Sequence, residues 1–409
     1  MATGIPSEER IDPLPAPSSE EPATGFDRHL SADPDVRKER HAMEIQGCCA
    51  TAVVYAKSLE QEALLQIKAL CDDEVHLHQK IRIMPDVHAG KNCLVGFTAT
   101  IDDRVNPYEI GVDIGCGVLA AKIGRRRLDC DKLDRFIRRK VPSGTSRHAE
   151  IDPGMDPELS ARVAEVCRRV GADTGDCLRA FGTLGGGNHF IEVDRSESGD
   201  LWLCIHSGSR TFGKAVAEHH QARATTHARI HRDGRGSPWL DGARLSEYLA
   251  DLEVAQAFAR GNRLRMAERI FAHLGASLQT TIETSHNYMD TESRILRKGA
   301  VAAPAGTRIA IPLNMRDGVV LATGLGNEEW NVSAPHGAGR RMSRRKARES
   351  IDLDKFRHSM RGIWSSCVGE RTLDESPQAY KPAKEILDLL GATATVEEIL
   401  RPVYNFKAA

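Results

Sequence analysis

Short strand-like runs are scattered irregularly among longer helical runs, and this arrangement constrains the fold more than any other feature of the chain. The strand-like runs are rich in β-branched residues and bounded by Gly, Asp or Asn; they cover residues 94–101, 117–123, 190–193, 201–205, 282–288 and 319–323. The helical runs cover residues 128–141, 157–181, 246–274, and 343–347 with their continuation. Because strands and helices do not alternate strictly, the pattern predicts an α+β fold with a complex mixed β-sheet core and surrounding helices.

The length permits one large domain or roughly two to three smaller ones. A chain of 409 residues that is 41% hydrophobic can bury a large core. Residues 1–42 are rich in Pro, Ser, Ala, Asp and Glu and lack the apolar stretch of a signal peptide, which predicts a disordered N-terminal extension. No uninterrupted apolar segment approaches the roughly 20 residues needed to span a bilayer, so we expect no membrane association.

Charge and cysteine usage exclude several classes of protein. The formal net charge is -1, so a site for a polyanion has to be a local basic cleft. Basic runs occur at residues 125–127 and 340–346, and such a run is either a solvated face or a binding site. The 10 cysteines show no CxxC pair and no regular spacing, which argues against a zinc ribbon or a disulfide framework. A reducing, cytoplasmic setting fits this usage best.

Two neighbouring segments combine glycines with a carboxylate and a thiol. Residues 84–91 read MPDVHAGK, and residues 111–117 read GVDIGCG. The glycines on either side of Cys116 allow a sharp backbone turn and leave the sulfur accessible to a metal ion. Asp113 and Cys116 can therefore converge on one ion, or on two ions if the sulfur bridges them. The alternative is that Cys116 is a small buried core residue.

Several histidines accompany strand-like runs in a similar way. His189 lies in GTLGGGNHFIE at residues 182–192, His206 begins HSGSR, and His286 lies in SHNY. The three consecutive glycines before Asn188 can expose N–H groups to a phosphate, and Asn188 can donate to phosphate oxygens. Each histidine taken singly fits a structural hydrogen-bonding role. Together with a thiol and a carboxylate they predict a site for a transition metal.

A further histidine, His336, lies in the glycine-rich, arginine-flanked segment PHGAGRRMSR at residues 335–344. A neutral imidazole in such a loop can attack a phosphorus atom if nearby cations neutralise the phosphate oxygens. The combination predicts a metal-dependent phosphoryl or nucleotidyl transferase. A noncatalytic RNA-binding or structural metal protein is the alternative from another class, and it would not require His336 in addition to the ligands.

Taken in order, these segments resemble the RtcB-type RNA-splicing ligase family. Family-like blocks also occur at residues 297–301 (RKGAV), 324–329 (GLGNEE) and 378–381 (QAYK), and the likeness runs from about residue 45 to residue 407. The resemblance implies that residues 43–409 form a single large ligase domain. It implies GTP-dependent joining of RNA 3′-phosphate or 2′,3′-cyclic phosphate ends to 5′-hydroxyl ends, and it raises an archease-like activator as a further partner.

The resemblance also assigns roles to individual residues. It implies that two Mn²⁺ ions are held by Asp113, Cys116, His189, His206 and His286, with Cys116 bridging them. It makes His336 the nucleophile that carries GMP. The residues it places at the nucleotide are Asn188, Glu192, Gly337, Ala338, Gly339, Arg340 and Lys407. Ligand chemistry alone does not choose manganese, because a Cys/His/Asp set binds Zn²⁺ tightly. Glu192 suits guanine, because a carboxylate can accept from both the ring N1–H and the exocyclic amine.

One segment departs from the family pattern. Where the family has a Pro-Gly-Ser-Met-Gly loop near the nucleotide, residues 311–318 read IPLNMRDG, so that Leu313 and Asn314 replace Gly and Ser. The lost glycine can block close backbone approach, and the lost hydroxyl removes one donor. We therefore expect a divergent member with altered nucleotide affinity or substrate range. A metal-dependent phosphoesterase or nucleotidyltransferase that processes nucleic-acid ends without joining them is the alternative function.

Overall fold

Strands of very different length build most of the architecture in this computed structural model, which describes residues 42–91, 93–227 and 237–407. The extension predicted over residues 1–42 lies outside the described residues, apart from Ala42. In chain order the strands are β1 (Met43–Gln46), β2 (Thr51–Val54), β3 (Ile81–His88), β4 (Val95–Thr100), β5 (Arg104–Val105), β6 (Cys116–Gly124), β7 (Phe190–Arg195), β8 (Leu201–Ser207), β9 (Thr225–His227), β10 (Ser237–Asp241), β11 (Thr281–Asp290), β12 (Ile295–Lys298), β13 (Ala300–Ala302), β14 (Arg308–Asn314), β15 (Gly318–Gly324), β16 (Ser333–Pro335) and β17 (Ala394–Lys407).

The helices range from a single turn to a very long element. In chain order they are α1 (Gln61–Asp72), α2 (Pro107–Ile110), α3 (Cys130–Lys140), α4 (Pro157–Val170), α5 (Thr174–Arg179), α6 (Arg210–Arg223), α7 (Gly242–Leu274), α8 (Arg344–Ser350), α9 (Leu353–Ser359) and α10 (Ala383–Leu390). Within the described ranges, no helix is both long and apolar enough to cross a membrane.

One large sheet organises the described part of the chain. It contains 12 strands in the order β1-β2-β3-β4-β12-β11-β6-β8-β7-β17-β15-β14. Strands β2 and β3 run parallel, whereas the other neighbours in this order are antiparallel. The remaining strands form small sheets of β5, β10 and β9, and of β13 and β16. The predicted α+β fold with a complex mixed sheet is confirmed.

The long helix α7 packs across the middle of the sheet. Its Met266 and Phe271 are fully or almost fully buried in one apolar cluster with Leu119 of β6, Leu203 of β8 and Ile191 of β7. Burial of such side chains stabilises the fold by roughly 1.5–3 kcal/mol each. The four central strands β11, β6, β8 and β7 are thereby backed by a rigid helix, and the ends of these strands carry the candidate ligands.

Most predicted elements match the structure, but one helix does not. The strand-like runs correspond to β4, β6, β7, β8, β11 and β15. The single helix predicted over residues 157–181 is wrong: it is split into α4 and α5, because Gly171 ends α4 in the left-handed conformation with a φ of 72°. The 14-residue strand β17 had no clear strand pattern in the sequence, yet it joins β7 to β15.

Candidate active site

The side chains predicted to hold metal meet at the ends of the central strands. Cys116 opens β6, His206 lies near the end of β8, and His286 lies within β11. Asp113 and His189 lie on the turns just before β6 and β7. Because β6 pairs with both β8 and β11, and β7 pairs with β8, the ends of these strands lie side by side. The sheet order therefore brings together residues that are far apart in the sequence.

These side chains form a row with the sulfur at its centre. Cys116 Sγ lies 3.1 Å from His206 Nε2 and 3.5 Å from His189 Nε2. On one side, His206 Nε2 lies 3.2 Å from His286 Nε2. On the other side, His189 Nε2 lies 3.3 Å from Asp113 Oδ2. We call this arrangement, from His286 through His206, Cys116 and His189 to Asp113, the ligand row.

In two of these imidazoles, the Nδ1 nitrogen, which faces away from the row, contacts a backbone carbonyl oxygen. His189 Nδ1 lies 2.8 Å from the Leu184 carbonyl oxygen, and His206 Nδ1 lies 3.2 Å from the Asn188 carbonyl oxygen. A carbonyl can only accept, so each Nδ1 carries the proton and each Nε2 presents a lone pair to the row. This is the orientation that a metal-binding histidine requires. The donor set fits a transition metal, since the Cys116 sulfur and one nitrogen each of His189 and His206 lie within 4.8 Å of one another.

Burial sets the protonation of the row. Burial lowers the pKa of His206 and of His286 well below the usual value, so both imidazoles are neutral. Burial also raises the pKa of the Cys116 thiol well above its usual value, and the Asp113 carboxylate adds to that rise. Burial alone would raise the pKa of Asp113 as well, but the neighbouring His189, Cys116 and Arg210 side chains outweigh it and hold that pKa well below its usual range. A cation between these atoms would favour the thiolate and complete the set of charges.

His336 faces the ligand row across the same cleft. Its ring centroid lies 5.0 Å from that of His286 and 6.4 Å from that of His88. Its Nδ1 lies 2.6 Å from Oδ2 of the fully buried Asp86. The same oxygen accepts from the backbone N–H groups of His336 and Gly337, at 2.9 and 3.0 Å. Asp86 thus fixes both the loop and the imidazole, and leaves Nε2 as the free nitrogen.

A cavity of about 860 Å³ is lined both by members of the ligand row and by His336. It is lined by all of the residues predicted to contact a nucleotide, namely Asn188, Glu192, Gly337, Ala338, Gly339, Arg340 and Lys407. Gly339 is required by sterics, because its φ is +70° and a Cβ atom there would lie 2.1 Å from the Asp86 carbonyl oxygen. The structure therefore brings the predicted ligands, the predicted nucleophile and the predicted nucleotide contacts to one cleft.

The far end of the cleft is formed by β7 and β17. Glu192 and Asn405 are register partners, and the Asn405 side-chain amide donates to the Glu192 carboxylate. Burial raises the pKa of Glu192 well above its usual value, and the neighbouring Asp194 adds to the rise. Lys407 Nζ donates to the Asn188 carbonyl oxygen at 3.0 Å. This end of the cleft therefore presents a carboxyl group of fixed orientation.

Glu375 connects β17 to the loop that follows His336. Its carboxylate lies 2.5 Å from Lys407 Nζ, 2.5 Å from the Arg344 guanidinium and 2.8 Å from the Tyr380 hydroxyl. Burial opposes ionisation, but the charges of Lys407 and Arg344 outweigh it and lower the pKa of Glu375 to about 2. Glu375 therefore stays ionised and holds cations on both sides of the cleft.

The sequence of the chain is similar to one family of known proteins. A family model described as tRNA-splicing ligase RtcB matches residues 72–408. The chain belongs to the RtcB family. The RNA-splicing ligase RtcB of Escherichia coli strain K12 is 30% identical over 81% of this chain and 89% of its own length. The tRNA-splicing ligase RtcB of the archaeon Aeropyrum pernix is 25% identical over 83% of this chain and 91% of its own length.

The segment that departs from the RtcB pattern borders the cleft. Leu313 is buried, Asn314 is half-buried, and both line the cavity. Close behind them, the Pro312 carbonyl oxygen would lie 2.8 Å from a Cβ atom at Gly337, so the segment packs directly on the loop that carries His336. Arg316 lies 2.7 Å from Asp317 and is not among the residues that line the cavity. The segment therefore lies beside the His336 loop, and its placement near a nucleotide stays a prediction.

Several residues of this RtcB-family site were not predicted from the sequence. Asp86 and His88 lie in the MPDVHAGK block, and an acidic residue inside an apolar strand was the available signal for Asp86. Lys298 is half-buried, and its Nζ donates to the Ile110 carbonyl oxygen at 2.7 Å. Asn405 and Glu375 had no local signal, because their partners are distant in the sequence.

Proposed function

We propose that the chain is a GTP- and Mn²⁺-dependent RNA ligase that joins RNA 3′-phosphate or 2′,3′-cyclic phosphate ends to 5′-hydroxyl ends. The observation that carries this proposal is the position of His336, held by Asp86, opposite the ligand row in one cleft. Family membership supports it, since the relatives bear the names RNA-splicing ligase and tRNA-splicing ligase.

Two Mn²⁺ ions would be held by the ligand row, that is by Asp113, Cys116, His189, His206 and His286. The sulfur of Cys116 contacts an imidazole on each side, which suits it to a central place in this set. When bound, the ions would act as Lewis acids that neutralise phosphate oxygens in the cleft. Manganese is the proposed metal on the family resemblance; zinc binds the same ligand types, so metal identity is part of the test.

His336 would be the group that carries the nucleotide. With Nδ1 directed at Asp86, its Nε2 lone pair is free to attack the α-phosphate of GTP, forming an N–P bond while pyrophosphate leaves. Asp86 would keep the imidazole in the reactive tautomer and stabilise the positive charge that develops on the ring. The result is a guanylyl-histidine intermediate at the wall of the cleft.

The next steps transfer GMP and seal the strand. An RNA 3′-phosphate oxygen would attack the guanylyl phosphorus, which frees the His336 nitrogen and leaves an RNA 3′ end activated with GMP. The 5′-hydroxyl of the second RNA would then attack the 3′-phosphorus, and GMP would leave. A 2′,3′-cyclic phosphate would first be hydrolysed to the open 3′-phosphate in the same cleft.

Glu192 would select guanine at the far end of the cleft. Its carboxylate can accept from the N1–H and the exocyclic amine of guanine, which adenine does not present together. The Asn405 amide holds the carboxylate in place. Two donors from the base would offset the burial that raises the pKa of Glu192 in the absence of nucleotide.

The proposal includes a reducing, cytoplasmic setting and an archease-like activator. All ten cysteines, including Cys116, are free thiols rather than disulfides, as a metal-binding thiolate in a reducing compartment would be. The activator rests on the family resemblance alone, and adding a purified activator to a slow ligation reaction would test it.

The deciding experiment combines a labelled RNA ending in a 3′-phosphate with an RNA beginning in a 5′-hydroxyl, GTP and Mn²⁺. We expect a joined product that disappears when GTP is omitted or the metal is chelated.

The divergent segment at Leu313 and Asn314 favours a second candidate, a metal-dependent end-processing phosphoesterase or nucleotidyltransferase. That function would give dephosphorylated or nucleotide-capped ends and no joined product.

A further inference from the structure

A strongly basic segment follows His336 in an otherwise balanced chain. Residues 340–361 contain nine Arg and Lys residues but only three Asp and Glu residues, whereas the whole chain has a formal net charge of -1. This segment contains α8 and α9. The family resemblance places only Arg340 of this segment at the nucleotide, so the other cations have no proposed part in the chemistry.

The cations of residues 341–348 fall into two groups, and the first group, which lies on α8, contacts buried carboxylates of the protein body. Arg344 and Arg348, one helical turn apart, both contact the buried Asp374, at 2.7 and 3.1 Å. Between them, Ala347 is fully buried. These contacts fix α8 to the body of the protein, so its other face has a defined direction.

The second group consists of exposed cations that are not held by a buried carboxylate. Arg341 and Lys346 are exposed, and no carboxylate of the described residues pairs with either of them. The Arg345 side chain is 88% exposed and lies 4.0 Å from Glu349, a contact of little energetic value. We call Arg341, Arg345 and Lys346 the outer strip.

The outer strip lies where a polyanion entering the cleft has to pass. Arg341 and Lys346 line the same cavity as His336. The part of the lining contributed by Glu60 and Glu62 is acidic and would repel phosphates. An RNA end that reaches His336 places its adjoining phosphates at the rim, and the basic side of the rim is the electrostatically favoured exit.

We propose that the outer strip binds the backbone phosphates of the RNA strand whose 3′ end reacts at His336. This inference rests on the proposed ligase function. The strip would contribute affinity without sequence preference, because phosphate contacts position a strand and do not read bases. It would act outside the chemistry and would not contact GTP.

The test neutralises the strip with the triple variant Arg341→Gln, Arg345→Gln, Lys346→Gln. Binding of a fluorescent single-stranded RNA with a 3′-phosphate is measured by anisotropy over a range of salt concentrations. Each lost phosphate contact should reduce the slope of log affinity against log salt by about 0.7, so the slope should fall by about 2. At 0.1 M salt this corresponds to a loss of about hundredfold in affinity.

A matched control removes the same charges elsewhere. Arg135→Gln, Arg139→Gln, Lys140→Gln changes two arginines and a lysine on α3, and none of them lines the cavity. This variant should bind RNA with the salt slope of the wild type. Circular dichroism and thermal melting of both triple variants check that folding is retained.

Guanylylation with labelled GTP separates the possible results. The inference requires wild-type guanylylation together with weakened RNA binding in the outer-strip variant. Unchanged RNA affinity with intact guanylylation would overturn it and leave the ligase proposal standing. Weakened GTP use with unchanged RNA affinity would also overturn it, because the strip would then serve the nucleotide. If the wild type itself neither guanylylates nor joins RNA, the proposed function fails rather than the strip.

Discussion

The two walls of the cleft are built in different ways. The wall that carries the ligand row consists of the ends of β6, β8 and β11, and the hydrogen-bond ladder of the sheet fixes it. The opposite wall is the loop after β16, and buried carboxylates hold it: Asp86 holds His336, and Glu375 holds Arg344. Hydrogen bonds between strand backbones do not depend on the charge of side chains, whereas ion pairs do. A substitution in the first wall should therefore remove one candidate metal ligand without moving the strands. A substitution in the second wall should change both the position of the loop and the charge beside it.

The largest effect is expected from Cys116→Ala in the strand-built wall. If the sulfur bridges two ions, the variant should lose bound metal and with it guanylylation and ligation, while the β6 ladder keeps the fold. Metal content by mass spectrometry and adduct formation with labelled GTP measure this. Cys93→Ala, at a buried cysteine outside the ligand row, is the control and should keep its metal. Equal activity of Cys116→Ala and the wild type would exclude the bridge.

His336→Ala should distinguish the function of the second wall from that of the first. Because His336 is not in the ligand row, the variant should keep wild-type metal content yet form no acid-labile, hydroxylamine-sensitive protein–GMP adduct. Peptide mapping of the wild-type adduct should place GMP on His336. A map that places GMP on a lysine would refute the assignment.

Asp86→Asn tests the buried carboxylate behind the nucleophile. The asparagine carbonyl can still accept from the loop N–H groups, but it cannot stabilise a positive imidazole. We expect the rate of guanylylation to fall by about 10²- to 10⁴-fold, by analogy with loss of the aspartate from a catalytic triad. The KM for GTP and the metal content should stay near wild type. A change in KM alone would make Asp86 a structural residue of the loop.

Glu375→Gln tests whether charge holds the second wall. In the folded protein the pKa of Glu375 is lowered to about 2, from about 4.5 in the unfolded chain. The ionised carboxylate therefore stabilises the fold fully above pH about 4.5, and this stabilisation is lost as the pH falls towards about 2. That shift corresponds to a contribution on the order of 3 kcal/mol at neutral pH. Urea unfolding of the variant should therefore show lower stability at neutral pH, and a shallower loss of stability between about pH 5 and about pH 3, than the wild type.

The exposed Glu349→Gln on α8 is the control for that experiment, since its side chain is 64% exposed and makes only a 4.0 Å contact. It should leave the pH profile unchanged. If Glu375→Gln and Glu349→Gln behave alike, the second wall is held by packing rather than by charge.

The smallest effect is expected in the divergent segment behind the His336 loop. Replacing Leu313 by Gly and Asn314 by Ser should restore about one hydrogen bond, worth about 0.5–1.5 kcal/mol, and lower the apparent GTP requirement by up to about tenfold. Arg316→Ala should leave it unchanged, since Arg316 pairs with Asp317. A raised GTP requirement in Arg316→Ala would mean that the segment is rebuilt around a cation. If no variant changes guanylylation, the segment does not contact the nucleotide.

Much of the site follows from local sequence. The strands that carry Cys116, His206 and His286 have β-branched runs bounded by turns, and the ligands lie at or within those runs. Glycine-rich turns next to Asp113 and His189 were the local signal for the proposed metal site. The α+β class follows from the irregular order of these runs, and the family resemblance supplied the proposed roles of Glu192 and Lys407.

The tertiary structure alone decided which charges meet. Asp86 lies 250 positions from His336, and Glu375 lies 32 positions from Lys407, so no local pattern links either pair. The insertion of β17 between β7 and β15 likewise had no local signal, whereas the helix break at Gly171 had one in the glycine itself. Periodicity reports how one segment buries its own apolar face. The partner of a buried carboxylate depends on the order of strands in the sheet, which is set by packing of the whole chain.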